Sequence, residues 1–382
     1  MSGVGSGPVG SVLLAGGGTA GHVNPLLAVA EELGRRDSST RLTVLGTATG
    51  LEAELVPARG LTLALVPRVP LPRRPTAAWF ALPGRMIAAV RAAGEAIDTS
   101  GARVVVGFGG YVSTPAYLAA RRRRIPVVVH EANARPGLAN RLGARWAAEV
   151  AVTFPGTALP HAQVVGMPLR AAVASIVEKL AADPARTRAA ALEVLGLAPD
   201  RPVVLVTGGS LGALRLNTAV AGTAAELVGA GAQVLHLTGA GKSQSVLDLV
   251  DTLPEPARSH YHVREYLSEM EHAYAVAALV LCRSGAATVC ELAALGLPAV
   301  YVPLPIGNGE QRLNAAPVVA AGGGLLVDDA DLTPDWLRAH VLPLLERADA
   351  LAAMGRAAAS VGVRDGASRV ADLVERAAGA TR

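Results

Sequence analysis

Residues 278–314, ALVLCRSGAATVCELAALGLPAVYVPLPIGNGEQRLN, carry the residue types and spacing of a nucleotide site. Ser284 is expected as the N-cap of a helix over Ala286–Leu295, ended by Gly296-Leu297-Pro298. The unsatisfied N–H groups of that helix start, together with its dipole, favour an anion such as a phosphate. Glu291 follows two turns on. A carboxylate there repels phosphate but can accept two hydrogen bonds from the vicinal hydroxyls of a ribose. Beyond Pro303 the polar side chains of Glu310, Gln311 and Asn314 could bind the hydroxyls and amide of a sugar. An ordinary βαβ unit with a solvated Glu would present the same residues, so the rest of the chain must decide.

Other groups able to do chemistry follow glycine-rich turns. His22 closes the loop Gly16-Gly17-Gly18-Thr19-Ala20-Gly21, where an imidazole could act as general base or steer a phosphate. His130-Glu131-Ala132-Asn133 ends an apolar run and is expected to put polar groups at the rim of a cleft. Arg170, after Gly166-Met167-Pro168-Leu169, could reach a diphosphate. No carboxylate pair or DxD pattern offers a metal site, so helix N-termini and arginine must neutralise a departing phosphate, with no cofactor. GGGTAGH also lacks the GxGxxG spacing with an acid some 20 residues on, which argues against a dehydrogenase.

The elements that position these groups are strands and helices in alternation. The chain has 382 residues, 51% hydrophobic but only 3% aromatic, so its cores must be built from Val, Leu and Ala, as in parallel sheets covered by helices. Strands are expected at Val12–Ala15, Leu42–Leu45, Leu61–Val66, Val104–Val106, Val127–His130, Val150–Thr153, Val164–Val165, Val203–Val206, Gln233–Thr238, Tyr261–Val263, Leu279–Cys282, Ala299–Val302 and Gly324–Val327. Helices are expected over Asn24–Leu33, with Pro25 in the first turn, and after Thr114 and Asn217. The strand, glycine loop and helix at Val12 return at Val203, and the unit at Val104 returns at Leu279, so the chain reads as two similar halves. The linker composition of 154–170 puts the boundary between residues 1–165 and 166–367, with a helix at about 368–382 packing back on the first domain. Glycine turns at Gly16, Gly107, Gly208 and Gly285 would then line one cleft between two facing, doubly wound Rossmann-like domains.

No run of the sequence approaches the ~20 apolar residues of a membrane span, and the N-terminus lacks the basic region of a secretory signal, so a cytoplasmic location is expected. Cys282 and Cys290 read as core residues. The charge of +4 suits an anionic partner, and scarce aromatics argue against nucleic acid. Between Val66 and Met86, Arg73, Arg74 and Arg85 flank Trp79, Phe80 and Leu82, a pattern suited to an anionic membrane surface. A helix burying the same rings in the core would have the same sequence.

GGGTAGH-x-x-P, GFGGYVS-x-P, HE-x-N, GGS-x-GA and CRSGA-x-T-x-x-E, in this order over essentially the whole chain, resemble the bacterial undecaprenyl-diphospho-muramoylpentapeptide β-N-acetylglucosaminyltransferases, the MurG-type lipid II synthases. The resemblance implies a GT-B fold and inverting transfer of N-acetylglucosamine from UDP-GlcNAc to the C4 hydroxyl of lipid I. It implies a peripheral enzyme on the cytoplasmic face of the cell membrane, with other cell-wall synthesis and division proteins as its possible partners. It further implies that Glu291 takes the ribose, Gly208, Gly209 and Ser210 the diphosphate region, Leu267 the uracil, and Asn133, Arg170, Arg283, Ala286 and Gln311 the remaining donor groups. Thr19, Gly21, His22, Gly109, Gly110, Tyr111 and Asn140 would face the acceptor, with His22 as base. Ala132, Met167 and Glu310 depart from the family's HEQN, GNPxR and Gln-Gln patterns. Rival readings are another GT-B UDP-sugar transferase, a UDP-GlcNAc 2-epimerase, or a UDP-sugar sensor without catalysis.

Overall fold

The computed structural model describes residues 9–69, 78–209 and 213–379, the side chains of 78–81 excepted. These residues form two compact units, one of residues up to 170 with 364 onward, the other of residues 171–363. In the first, β1 (Ser11–Ala15), β2 (Arg41–Gly46), β3 (Thr62–Leu65), β4 (Val104–Gly107), β5 (Val127–Glu131), β6 (Glu149–Val152) and β7 (Ala162–Val164) make a parallel sheet in the order β3-β2-β1-β4-β5-β6-β7. In the second, β8 (Val203–Thr207), β9 (Gln233–Leu237), β10 (Tyr261–Arg264), β11 (Ala277–Cys282), β12 (Ala299–Tyr301) and β13 (Gly324–Leu326) follow the order β10-β9-β8-β11-β12-β13, also parallel. Strand order reverses between β1 and β4 in one sheet and between β8 and β11 in the other, the place where doubly wound sheets bind ligands. These are the strands that the internal correspondence pairs.

Both faces of each sheet must be covered. Val12 and Leu14 of β1 enter one apolar cluster, Leu13 and Ala15 a second on the other face. With few aromatics, one ring is placed where glycines make room: Tyr117 is fully buried, and a Cβ at Gly107 or Gly143 would run into it. Helix Gly366–Gly379 buries Val370, Leu373 and Val374 in the first unit's core. Arg36, at the end of helix Ala20–Arg36, ties it down through Asp372, Glu375 and the Ser368 carbonyl. Residues 166–170 also stay with the first unit, because Met167 and Leu169 are buried and Gly366 packs against the Met167 carbonyl. The unit boundary therefore falls five residues later than the linker composition places it, at 170 against 165.

Three local readings are corrected. The first helix starts at Ala20, not Asn24, because Gly18 (φ +87°) turns the chain and the Thr19 carbonyl already accepts from His22 and Val23 N–H. Pro25 is thus inside the helix, where it costs the single bond its missing N–H would make. The helix after β8 starts at Leu214, and Asn217 is a buried interior residue. His130 and Glu131 are not at a rim: β5 runs through Glu131 and both are buried.

Asn217 belongs to a buried polar chain in the second unit. Its Nδ2 donates to the Thr238 carbonyl (2.9 Å), so its Oδ1 must accept from His236 Nε2 (3.1 Å), and His236 Nδ1 accepts from the Tyr261 hydroxyl (2.8 Å). Burial pushes the His236 pKa down to about 3. As pH falls below about 6.5 the unfolded chain takes up a proton that the folded chain refuses, so this residue costs up to about 1.4 kcal/mol of stability per pH unit. His236→Gln should flatten the pH dependence of urea-unfolding stability by that slope between about pH 6 and pH 4; an unchanged slope would contradict the neutral, doubly bonded imidazole.

Candidate active site

In the first unit the site is built where the loops after β1 and β4 touch. His22 Nδ1 lies 3.2 Å from the Gly17 carbonyl oxygen and 3.2 Å from Thr19 Oγ1. A carbonyl only accepts, so Nδ1 carries the proton and Nε2 presents its lone pair. Burial lowers the His22 pKa below the usual histidine value; the Gly17 carbonyl and the charges of Glu131 and Glu52 oppose that without reversing it. The imidazole is therefore neutral at neutral pH, as a base must be.

The loop after β4 presses on this group. Gly109 has φ +96°, and a Cβ there would stand 3.0 Å from His22 Nε2. Gly110 has φ +80°, and its Cβ would be 2.5 Å from the Gly17 oxygen. Ser113 Oγ holds the loop by accepting from Gly109 N–H (2.9 Å) and lies 3.0 Å from the Ala15 carbonyl oxygen. Tyr111 is half in solvent with the Arg68 guanidinium over its ring, 5.6 Å from the centroid. The structure thus brings Thr19, Gly21, His22, Gly109, Gly110 and Tyr111 together. Asn140 lies beneath them with its amide already engaged: Tyr117 Oη donates to Oδ1 (2.7 Å), and Nδ2 donates to the His130 carbonyl (3.0 Å) and Glu131 Oε2 (2.9 Å). It braces the loop floor. Glu131 also takes the N–H groups of Asn133 (2.9 Å) and Gly137 (3.0 Å). Asn133 and Arg170, expected on the donor, belong to this first unit. Ala132 and Met167 are both buried, so these two departures put apolar groups where an amide would need partners.

Sequence reasoning missed Glu52. It is fully buried, and its carboxylate accepts from Gly18 N–H (3.0 Å), Thr47 N–H (2.9 Å) and the Thr47 hydroxyl (2.8 Å). The desolvation of burial would raise its pKa, but these donors hold it below the usual carboxylate value. The only signal was an acid among the glycines Gly46 and Gly50.

In the second unit, Gly208 and Gly209 follow β8, and Ser210 lies outside the described residues. After β11 the helix starts at Ala286 with Gly285, not Ser284, at the N-cap (φ −61°, ψ 144°). Ser284 is turned inward, fully buried, so it cannot cap, and no side chain caps this helix start. Glu291, on this helix, is buried, with the Tyr274 hydroxyl donating to Oε2 (3.1 Å). Gln311 Oε1 accepts from Leu304 N–H (2.9 Å), and Glu310 Oε2 accepts from Asn308 N–H (3.3 Å) in the first turn of the same helix. Leu267 is half-buried after β10.

Arg283 donates to the Val302 and Pro303 carbonyls (3.2 Å each) and pairs with Asp329 (2.6 Å), which also faces Arg215 Nε (3.3 Å). With Lys242, Leu214 and Thr218 these line an open depression of about 610 Å³ in which three cationic side chains face one acid. Among the described residues no group of three or more His, Cys, Asp or Glu is placed to hold a metal, and no helix is long and apolar enough to cross a membrane. Cys282 and Cys290 are free thiols, and burial raises the pKa of both. Of the proposed membrane patch, Arg73 and Arg74 and the side chains of Trp79 and Phe80 lie outside the described residues. Leu82 is half-buried, and Arg85 is exposed, as is Ile87 on the same helix.

Residues 12–152 match the glycosyltransferase family 28 N-terminal domain and residues 203–370 its C-terminal domain. The chain belongs to glycosyltransferase family 28. Family 28 relatives from Leifsonia xyli subsp. xyli (56% identical over 362 residues, 95% of this chain and 97% of the relative) and Frankia casuarinae (55% over 372 residues, 97% of each) share one name. That name is UDP-N-acetylglucosamine–N-acetylmuramyl-(pentapeptide) pyrophosphoryl-undecaprenol N-acetylglucosamine transferase. The crystal structure of Acinetobacter baumannii MurG matches with a TM-score of 0.76 and 27% identity, covering 96% of this chain and 99% of that one. A Neisseria meningitidis UDP-GlcNAc 2-epimerase matches with a TM-score of 0.70 at 14% identity over 96% of this chain and all of that one, a likeness of fold alone. This family 28 chain is a glycosyltransferase with the GT-B fold of two Rossmann-like domains.

The contact between the two glycine loops is open to test. Gly110→Ala must place a Cβ against the Gly17 oxygen in a left-handed conformation, so it should cost more than about 1 kcal/mol of stability by chemical denaturation. A neutral substitution would mean that the loops do not meet as described.

Proposed function

We propose that this protein transfers N-acetylglucosamine from UDP-GlcNAc to the C4 hydroxyl of the muramoyl unit in undecaprenyl-diphospho-MurNAc-pentapeptide, lipid I, with inversion, giving lipid II for peptidoglycan synthesis. The observation that carries this reading is identity of up to 56% along nearly the whole of both chains with transferases of that name. An epimerase would need a different amino-terminal half, whereas here the loops GGGTAGH and GFGGY are present and in contact; a sensor would bind the donor without transferring it.

His22 Nε2 takes the proton of the acceptor hydroxyl as its oxygen attacks the anomeric carbon. The bond from that carbon to the β-phosphate oxygen breaks, and its electron pair leaves on UDP. Thr19, Gly21, Gly109, Gly110 and Tyr111 face the acceptor, and Asn140 keeps their floor rigid. On the donor, Glu291, steadied by Tyr274, receives the ribose hydroxyls, and Leu267 lies at the uracil. Gly208, Gly209 and Ser210, with the uncapped helix start at Ala286, receive the diphosphate, and Arg283 adds positive charge. Asn133, Arg170 and Gln311 complete the donor contacts, and no metal or other cofactor is needed. The enzyme works at the cytoplasmic face of the membrane, held peripherally by the basic and aromatic segment around Arg73, Arg74, Trp79, Phe80, Leu82 and Arg85.

His22→Ala should lower kcat by roughly 10²–10⁴ in an assay with UDP-GlcNAc and a lipid I analogue while donor KM holds. Because burial depresses the His22 pKa, the acid limb of wild-type kcat/KM should lie below about pH 6.5; a limb centred above that value would mean another base. Glu291→Ala should weaken UDP binding by about 1.5–3 kcal/mol in calorimetry, and unchanged affinity would remove Glu291 from the ribose.

A further inference from the structure

We infer that Glu52 is a positioning residue that orients His22 through a single peptide group, a step that rests on His22 being the base proposed above. The peptide joining Gly17 to Gly18 is bonded at both ends: its N–H, on Gly18, donates to Glu52 Oε2 (3.0 Å), and its C=O, on Gly17, faces His22 Nδ1 (3.2 Å). A trans peptide is planar, with N–H and C=O pointing in opposite directions, so fixing one end fixes the other. The carboxylate therefore sets the plane against which the imidazole rests. It also polarises the carbonyl, which strengthens the bond to Nδ1–H and makes Nε2 more basic. This is the part that a directly bonded carboxylate plays beside other catalytic histidines, here with one amide interposed.

The surroundings of Glu52 serve this arrangement. Its carboxylate has no solvent exposure, and it is held from the other side by the Thr47 N–H and hydroxyl. It reaches the loop only because the neighbouring positions lack side chains. A Cβ on Gly17 would stand 2.6 Å from Oε1, one on Gly46 2.5 Å from Cγ, and one on Gly50 would overlap the carboxylate. A carboxylate in a fully buried place is costly unless its donors are all aimed at it, and here they are.

Glu52→Gln keeps the shape but loses the charge and must turn an amide N–H₂ toward one of two backbone N–H groups, of Gly18 or Thr47, that only donate. It should lower kcat about 10-fold or more, the loss expected of one hydrogen bond to a charged group, with donor KM unchanged. In the absence of substrate, the His22 titration followed by NMR should move to lower pH, because the charge of Glu52, which with that of Glu131 favours protonated His22, is lost. Exchange of the Gly18 amide hydrogen should also quicken. Thr47→Val, which removes one donor and leaves the Gly18 bond, should change the His22 titration little. A Glu52→Gln variant with the wild-type His22 titration and Gly18 exchange, or a Thr47→Val variant with the same shift as Glu52→Gln, would overturn the inference. If the wild-type protein fails to transfer to the lipid acceptor, the functional reading falls, while the titration and exchange still judge the link from Glu52 to His22. Should Glu52→Gln not fold, Glu52→Asp, which keeps the charge but is too short to hold the Gly18 N–H, takes its place: Gly18 exchange should quicken and kcat fall, and wild-type values of both would overturn the inference.

Discussion

The hydrogen bond between the Gly17 carbonyl and His22 Nδ1 is the interaction on which the first unit's site depends. It decides the tautomer of the imidazole, and with it which nitrogen can accept a proton. It also explains the glycines around it. Gly18 must turn the chain at φ +87° so that the helix can begin at Ala20 and carry His22 on its first turn. Gly109 and Gly110 must lack side chains because the imidazole and the Gly17 oxygen occupy the space where they would stand. A sheet whose order reverses between β1 and β4 brings the two loops together, and the polar brace of Tyr117, Asn140 and Glu131 keeps the second loop's floor from shifting.

In the proposed reaction the second unit meets a different problem, the binding of a negatively charged leaving group. Its answer is a helix start at Ala286 that no side chain caps, and an arginine, Arg283, anchored by two carbonyls and Asp329. Anchoring keeps the guanidinium from collapsing onto the ligand in an arbitrary geometry, and it limits the entropy lost when the ligand binds. The buried chain Tyr261–His236–Asn217 holds the helix after the β8 loop to β9 and β10 by the same logic, with every polar group paired.

Much of this architecture was legible in the sequence because strands buried on both faces, such as Val104–Gly107 and Val203–Thr207, read as unbroken apolar runs. The motif residues were legible because glycine loops after such strands sit at fixed places in a doubly wound sheet. What could not be read depends on contacts distant in sequence. Glu52 lies 34 residues from Gly18, and nothing local distinguishes it from a solvated acid. Asn140 entered only through the family resemblance, and the partners that fix its amide, Tyr117 and His130, come from two other elements. Ser284 and Pro25 misled for the opposite reason: each is a strong local signal of a helix start, but the N-cap positions fall to Gly285 and Thr19.

The central claim is one inverting displacement, in which His22 takes the proton and UDP leaves. The anomeric configuration of the product tests it most directly. After incubation of the protein with UDP-GlcNAc and a lipid I analogue, proton NMR of the isolated disaccharide should show a β-linked N-acetylglucosamine on the muramoyl C4 oxygen. An α linkage, attachment to another hydroxyl, or recovery of the unchanged acceptor with an epimerised UDP-sugar would contradict it.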